Sequence, residues 1–198
     1  ISCSEDWLTP KPLSFYEPGI ALSNAEGMYS ALTTLERNMR HEYFGDNAPI
    51  LTEIIQSEVA VEGTTDKAGP QMDMDVALLP DAQLNHTDFT KVGWYWYEGY
   101  KGVKYANTII ARIDNAEFSS EEERNAILGS AYFHRAYRYF KLTHQFGDIP
   151  YLDWEIETPK YDFYSYDRWG ILERMRKDLE FAYQWVPEVV DRGRTSKA

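Results

Sequence analysis

The chain has 198 residues, enough for one large domain, and its 32 acidic and 20 basic side chains give a formal charge of −12. Phosphate backbones would be repelled by such a surface, so nucleic acid is not an expected partner. An aromatic content of 15% argues against disorder, and no run of about eighteen apolar residues is present to form a membrane-spanning helix.

The single cysteine, Cys3, lies in Ile1-Ser2-Cys3-Ser4. One cysteine forms no internal disulfide and leaves no cysteine-built zinc site. A small residue ahead of a near-terminal cysteine is what a bacterial lipoprotein signal leaves at its cleavage point; an incidental free thiol is the other reading. Trp7 to Gly19 contain Pro10, Pro12 and Pro18, which argues against helix and predicts an extended arm anchored by Trp7, Leu8, Leu13, Phe15 and Tyr16. Residues 1–22 are assigned to this linker and arm, and residues 23–198 to one helical domain.

The first long helix is predicted from Ser23 or Asn24 to Tyr43. Ala25, Met28, Leu32, Leu35 and Met39 recur at three- and four-residue steps, and Gly45-Asp46-Asn47 stops the pattern. A short, weakly marked helix is expected over Pro49 to Val59. Glu62 to Lys91 then reads as a long irregular segment containing Gly63-Thr64-Thr65-Asp66, Gly69-Pro70, Pro80-Asp81 and Asn85-His86-Thr87-Asp88. A loop of that length inside a compact domain is usually functional or disordered, so a ligand is sought here.

Helical period returns from Trp94 to about Ala116, with Trp96, Tyr100, Val103, Ala106 with Asn107, Ile110 and Ile113 in one stripe. Ser119 or Ser120 caps the next helix, and Glu121, Glu122 and Glu123 favour the positive end of its dipole. That helix runs to Phe146. Ile127, Ala131, His134, Tyr137 or Arg138, Leu142 and Phe146 repeat along it, Gly147 suggests a left-handed cap, and Pro150 prevents its resumption. Its aromatics exceed what one face can hold, which predicts burial on several sides. Tyr151 to Tyr164 reads as an extended connection. A last helix is expected from Ser165 to Trp185, lined by Trp169, Leu172, Met175, Leu179 and Ala182 and closed by Pro187. No segment alternates convincingly with period two. The fold class is therefore all-α, with packed helical pairs and long irregular loops; stacked tetratricopeptide pairs would fit, although their usual sequence pattern is not visible.

Asp73, Asp75, Asp81 and Asp88 in the loop, with Asp153, Glu155 and Glu157 in the connection, could supply a glycosidase pair, but solvated surface is the preferred reading in so acidic a chain. Asp73-Met74-Asp75 alternates like calcium-loop ligands without the downstream Gly and Glu. His134 reads as a buried or half-buried histidine, and His41 and His144 as cations near helix C-termini. No metal spacing joins the histidines. Arg135 reads as structural, stacking on a tyrosine or pairing with Asp148.

Four blocks in order resemble the SusD/RagB family. They are Trp96-x3-Tyr100-x2-Val103-x2-Ala106-Asn107; Ala131 to Leu142 followed by Phe146-Gly147-Asp148-Ile149-Pro150; Asp178-Leu179-Glu180-x-Ala182 with Pro187; and Gly193-Arg194-Thr195-Ser196-Lys197-Ala198. Cys3 adds to the pattern. Ser130 departs from it, standing where the family usually has an acidic residue, and so does His134, where an apolar residue is more usual. Family members are much longer, so the chain resembles the N-terminal part of one.

The resemblance implies a tetratricopeptide-like helical fold and a non-catalytic lipoprotein, anchored through Cys3 on the outer-membrane surface of Bacteroidetes bacteria. It implies that the protein captures oligosaccharides, or peptides in some members, for a SusC-like TonB-dependent transporter, with no cofactor and no metal. A helical glycosidase and a ligand-free scaffold are the competing readings. Because Trp96 belongs to the family's core stripe, it is read as structural. Trp94 and Tyr95, at the loop–helix junction, are read as freer to face a ligand, whose sugar faces pack on aromatic rings. The starch-binding archetype of the family also uses the segment just before this helix. The candidate ligand-binding residues are Asp73, Asn85, His86, Trp94 and Tyr95.

Overall fold

The computed structural model describes residues 18–44, 49–50, 53–54, 57, 59 and 91–197. The elements are α1 (Pro18–Ala21), α2 (Ala25–Tyr43), α3 (Lys91–Arg112) running into a 3-10 turn (Ile113–Asn115), α4 (Glu121–Phe146), β1 (Ile149–Pro150), β2 (Ser165–Tyr166) and α5 (Arg168–Trp185). Pro18 corrects the expectation of a wholly extended arm, because it opens a single helical turn where its missing N–H costs nothing.

Local chemistry sets the helix ends. Asn24 caps α2 by accepting from Gly27 N at 3.0 Å. Ser23 and Ala25 also exchange backbone bonds with Glu117 at 2.9 and 3.0 Å, which ties the start of α2 to the α3–α4 connection. Ser120 caps α4, and Glu123 reaches back to the Ser119 N–H at 2.9 Å and to its hydroxyl at 2.7 Å. Asp167 caps α5 through Gly170 N at 2.8 Å. At the end of α4, Gly147 has φ +74° and ψ −123°. This departs from the left-handed helical cap expected; it is a region that glycine enters without penalty from a Cβ.

α4 lies against α2, α3 and α5 and is the centre of the molecule. One apolar core joins Met28, Leu32 and Leu35 of α2 to Ala106 and Ile109 of α3 and to Ile127 and Ala131 of α4. A second joins Val103, Ala136, Tyr139 and Leu142 to Ile149, Leu152, Ile171 and Met175. The aromatics of α4 join these layers mostly from partly buried positions, Tyr132 meeting Phe181 of α5 at 5.3 Å and Phe146 meeting Trp96 of α3 at 5.1 Å. Among Tyr132, Phe133, Tyr137, Tyr139, Phe140 and Phe146 only Tyr139 is buried, while Phe140 is exposed. The interior face of α4 is instead aliphatic and charged, with His134, Arg135, Arg138 and Lys141 all buried.

The buried face of α5 also differs from the expected stripe. Ile171, Met175, Asp178 and Ala182 point inward, whereas Trp169 and Leu179 are exposed. Beyond α5 the chain turns back over α2. Arg194 donates to Tyr29 O at 3.0 Å and pairs with Glu36 at 3.3 Å, and Thr195 Oγ1 lies 3.1 Å from His134 Nε2. Gly193, at φ +84°, makes that turn.

Candidate functional site

The α4–α5 connection forms one wall of a cavity, and α3 forms the other. Antiparallel pairing of β1 with β2, Ile149 opposite Tyr166 and Pro150 opposite Ser165, closes the base of the 151–164 loop. Three side chains then fix its first limb. Tyr100 donates from its hydroxyl to Pro150 O at 2.8 Å. Asn107 Nδ2 donates to Leu152 O at 2.9 Å and to Trp154 O at 3.2 Å. The Tyr139 hydroxyl accepts from Leu152 N at 2.6 Å and lies 3.0 Å from Leu152 O. Burial pushes the Tyr100 and Tyr139 phenols up from their ordinary values, so both hydroxyls stay protonated and able to donate.

A cavity of about 570 Å³ opens between this limb and α3. α3 contributes Trp96, Tyr97, Tyr100, Lys101 and Lys104; the connection contributes Leu152, Trp154, Ile156 and Phe163. Trp96 meets Tyr100 and Phe146 edge-on at 5.0 and 5.1 Å between centroids, which sets its ring orientation. Lys160 places its ammonium 5.4 Å from the Trp154 ring and 5.9 Å from that of Phe163. Exposed rings on a hydrogen-bonded frame make a surface on which the C–H face of a ligand ring can pack.

This arrangement reverses the expectation for the aromatic cluster. Trp94 is 7% and Tyr95 2% exposed, while Trp96 is 42% and Tyr97 56% exposed. Trp94 packs against His41 at 5.7 Å, and Tyr95 lies below the Lys141 ammonium at 5.7 Å; neither lines the cavity. Asp73, Asn85, His86 and Cys3 lie outside the described residues, as does most of the 62–91 segment.

Residues that sequence reasoning did not place in a site include Trp96, Tyr97, Lys101 and Lys104 of α3 and Trp154 and Phe163 of the connection. The expected carboxylate candidates in the connection are partly committed elsewhere: Glu155 accepts from Arg112 Nε at 2.9 Å, and Asp153 lies 3.8 Å from Arg174. Among the described residues there is no group of three or more His, Cys, Asp or Glu side chains able to hold a metal ion, and no helix long and apolar enough to cross a membrane.

Three of the four sequence blocks meet behind the cavity. Arg135 of α4 binds Asp178 of α5 through two hydrogen bonds and donates to Asn107 Oδ1 at 2.9 Å. The fourth block joins them through Thr195 and His134.

Comparison with known proteins gives consistent matches. A family model described as starch-binding and associating with the outer membrane matches residues 30–198. The SusD-like protein P2 of Formosa agariphila is 26% identical over 200 residues, covering 95% of this chain and 36% of the relative. A laminarin-binding SusD-like protein superposes with a TM-score of 0.68 at 19% identity, over 88% of this chain and 38% of the other. A SusD-like protein of Bacteroides fragilis gives 0.66 at 14% identity, over 99% of this chain and 35% of the other. Surface glycan-binding protein A from Bacteroides fluxus gives 0.63 at 19% identity, over 87% and 37%. The chain thus spans about a third of the length of these relatives. The fold is all-α and tetratricopeptide-like, as the sequence led one to expect.

Proposed function

The chain belongs to the SusD-like family, and from that premise we propose that it is part of a non-catalytic carbohydrate-binding protein whose ligand packs in the cavity between α3 and the 151–164 connection. The observation that carries this reading is the set of exposed rings, Trp96, Tyr97, Trp154 and Phe163, around a concave space whose back wall is fixed by hydrogen bonds. Carbohydrate recognition needs aromatic faces held in advance, because a shallow site has little other area to offset the ordering of the ligand.

The family description places its members in association with the outer membrane. With it goes the proposal of a lipid anchor on Cys3, a cell-surface position in Bacteroidetes and delivery of oligosaccharides to a SusC-like TonB-dependent transporter. Asp73, Asn85 and His86 are proposed as further ligand contacts on sequence grounds alone. The N-terminal arm over 1–22 and the helical domain over 23–198 stand as the proposed division of the chain.

Affinity electrophoresis of the full-length protein against a panel of polysaccharides tests the reading. Retardation by at least one glycan, weakened by Trp154→Ala, is the expected result. Tight peptide binding with no retardation on any glycan would transfer the protein to the peptide-binding branch. New reducing ends, abolished by one Asp or Glu substitution, would make it an enzyme.

A further inference from the structure

Polar capacity in the cavity is unbalanced. Asn107 has no donor to spare, since both its amide hydrogens serve Leu152 and Trp154 while its oxygen accepts from Arg135. The Tyr100 hydroxyl proton goes to Pro150 O. The charged side chains that line the cavity are Lys101 and Lys104, with no carboxylate among the described lining residues. They stand one turn apart on α3, on the same stripe as Tyr97. Lys160 brings a third ammonium from the opposite wall, over Trp154 and Phe163. Ammonium groups donate only.

Glu98 neutralises Lys101 in an ion pair at 3.0 Å, and Glu155 is taken by Arg112, which leaves Lys104 and Lys160 as the unpaired cations of the site among the described residues. Lys104 is exposed and has no ion pair among the described residues, and Lys160 has only its two aromatic contacts there. Glu157 and Asp162, on the same connection, are exposed and do not line the cavity. In a chain of charge −12, a cavity lined by lysines and no carboxylate among the described residues presents donors beside its aromatic rings.

We propose that the cavity selects an anionic glycan, one whose sugar rings carry carboxylate or sulfate groups: the rings pack on Trp96 and Trp154 while Lys104 and Lys160 receive the charges. This rests on the carbohydrate-binding reading above. Net charge on the protein repels a polyanion at large, so attraction has to arise at the site. It also changes the expected salt behaviour, because a neutral glycan would bind with little dependence on ionic strength whereas charge pairs at an open mouth are screened.

The test is affinity electrophoresis of the full-length protein against matched pairs that differ in charge alone: polygalacturonate with its fully methyl-esterified form, and dextran sulfate with dextran. In at least one pair the charged member should bind about tenfold more tightly at low salt, and that advantage should collapse near about 0.5 M salt, where the screening length falls to a few ångströms. The double variant Lys104→Gln/Lys160→Gln should reduce the charged-to-neutral ratio about tenfold, as expected for two charge-assisted contacts. Equal retardation by both members of the pairs would overturn the anionic assignment and leave the glycan reading standing. A charged preference that the double variant does not alter would overturn the placement of the anion in this cavity. No retardation by any of the four polymers, with retardation by a neutral glycan of the wider panel, would overturn the anionic assignment alone, and no retardation by any glycan of the panel would overturn both readings.

Discussion

Arg135 and Asp178 face each other between α4 and α5 in a two-pronged pair, Nε to Oδ2 at 2.7 Å and Nη2 to Oδ1 at 2.9 Å. Both side chains are nearly sealed from water, with 7% and 11% of their surface exposed. The guanidinium also stacks over Tyr132 at 5.1 Å and donates to Asn107. Burial pushes the Asp178 carboxyl up from its ordinary value, and Arg135 pulls against it. Removing one partner strands a buried charge, so Arg135→Leu should lower stability by about 3–5 kcal/mol. Replacing both partners by leucine should cost less than Arg135→Leu alone. Urea unfolding of Arg135→Leu, Asp178→Leu and the double variant measures this, and a double variant less stable than Arg135→Leu would contradict it.

A second buried network holds α2 to α4. Glu42 lies 3.3 Å from Arg138 Nη1 and 3.0 Å from Lys141 Nζ, and it accepts from the Tyr137 hydroxyl at 2.8 Å. Burial holds the Arg138 guanidinium below its ordinary value, opposed chiefly by Glu42. Glu42→Gln should therefore destabilise by about 3–5 kcal/mol, read from the urea midpoint. Gly102 leaves the space in which Arg138 lies: a Cβ there would come within 2.9 Å of Arg138 Cγ and 3.0 Å of its Nε. Because Arg138 is buried and cannot swing away, Gly102→Ala should cost about 1–3 kcal/mol despite the better helix propensity of alanine.

These glycines explain what the sequence concealed. Buried positions on α3 are Trp94, Tyr95, Gly99, Gly102, Val103, Ala106, Asn107 and Ile109, and Ile113 is buried in the 3-10 turn that follows. Large apolar residues alone give a stripe through Trp96, Tyr100, Val103 and Ile110, of which Val103 is buried, Tyr100 and Ile110 are half-buried and Trp96 is exposed. Glycines at 99 and 102 add no hydrophobic weight to a periodicity argument, yet they admit Leu142 and Arg138 of α4. The buried face of the helix is therefore wider than its large apolar residues suggest, and it takes in Trp94 and Tyr95 while leaving Trp96 exposed. Helix existence and ends were legible, because Asn24, Ser120 and Pro187 act locally. Asp178 was hidden as a core residue because burial of an aspartate is acceptable only beside its arginine, a contact across 43 positions. Arg135 was read correctly as structural and as stacked on a tyrosine; Asp148, its other expected partner, instead accepts from Arg168 N at 3.0 Å.

His134 makes stability sensitive to acid. It is fully buried, and burial with the nearby Arg138 charge holds its pKa down at about 3. The unfolded chain binds the proton near its ordinary value of about 6.5, so the neutral form contributes fully above that pH. As pH falls from about 6.5 towards about 3, stability should drop by about 1.4 kcal/mol per unit on this account. His134→Leu should remove that slope, leaving a smaller difference between urea midpoints at pH 7 and pH 4.5. An unchanged difference would contradict it.

The cavity itself gives a contrast among three tryptophans. Trp96→Ala and Trp154→Ala should each weaken glycan binding at least about tenfold, as the loss of a stacking face does at a small site. Trp94→Phe should leave binding unchanged, because Trp94 packs in the interior against His41 and Tyr95. Titration calorimetry of the full-length protein with the glycan that retards it compares the three.

A crystal structure of the full-length protein with that oligosaccharide tests the central claim most directly. The account predicts sugar rings in van der Waals contact, within about 4 Å, with Trp154 and Trp96 between α3 and the 151–164 connection. A sugar bound elsewhere, with this cavity filled by the protein's own chain, would contradict it.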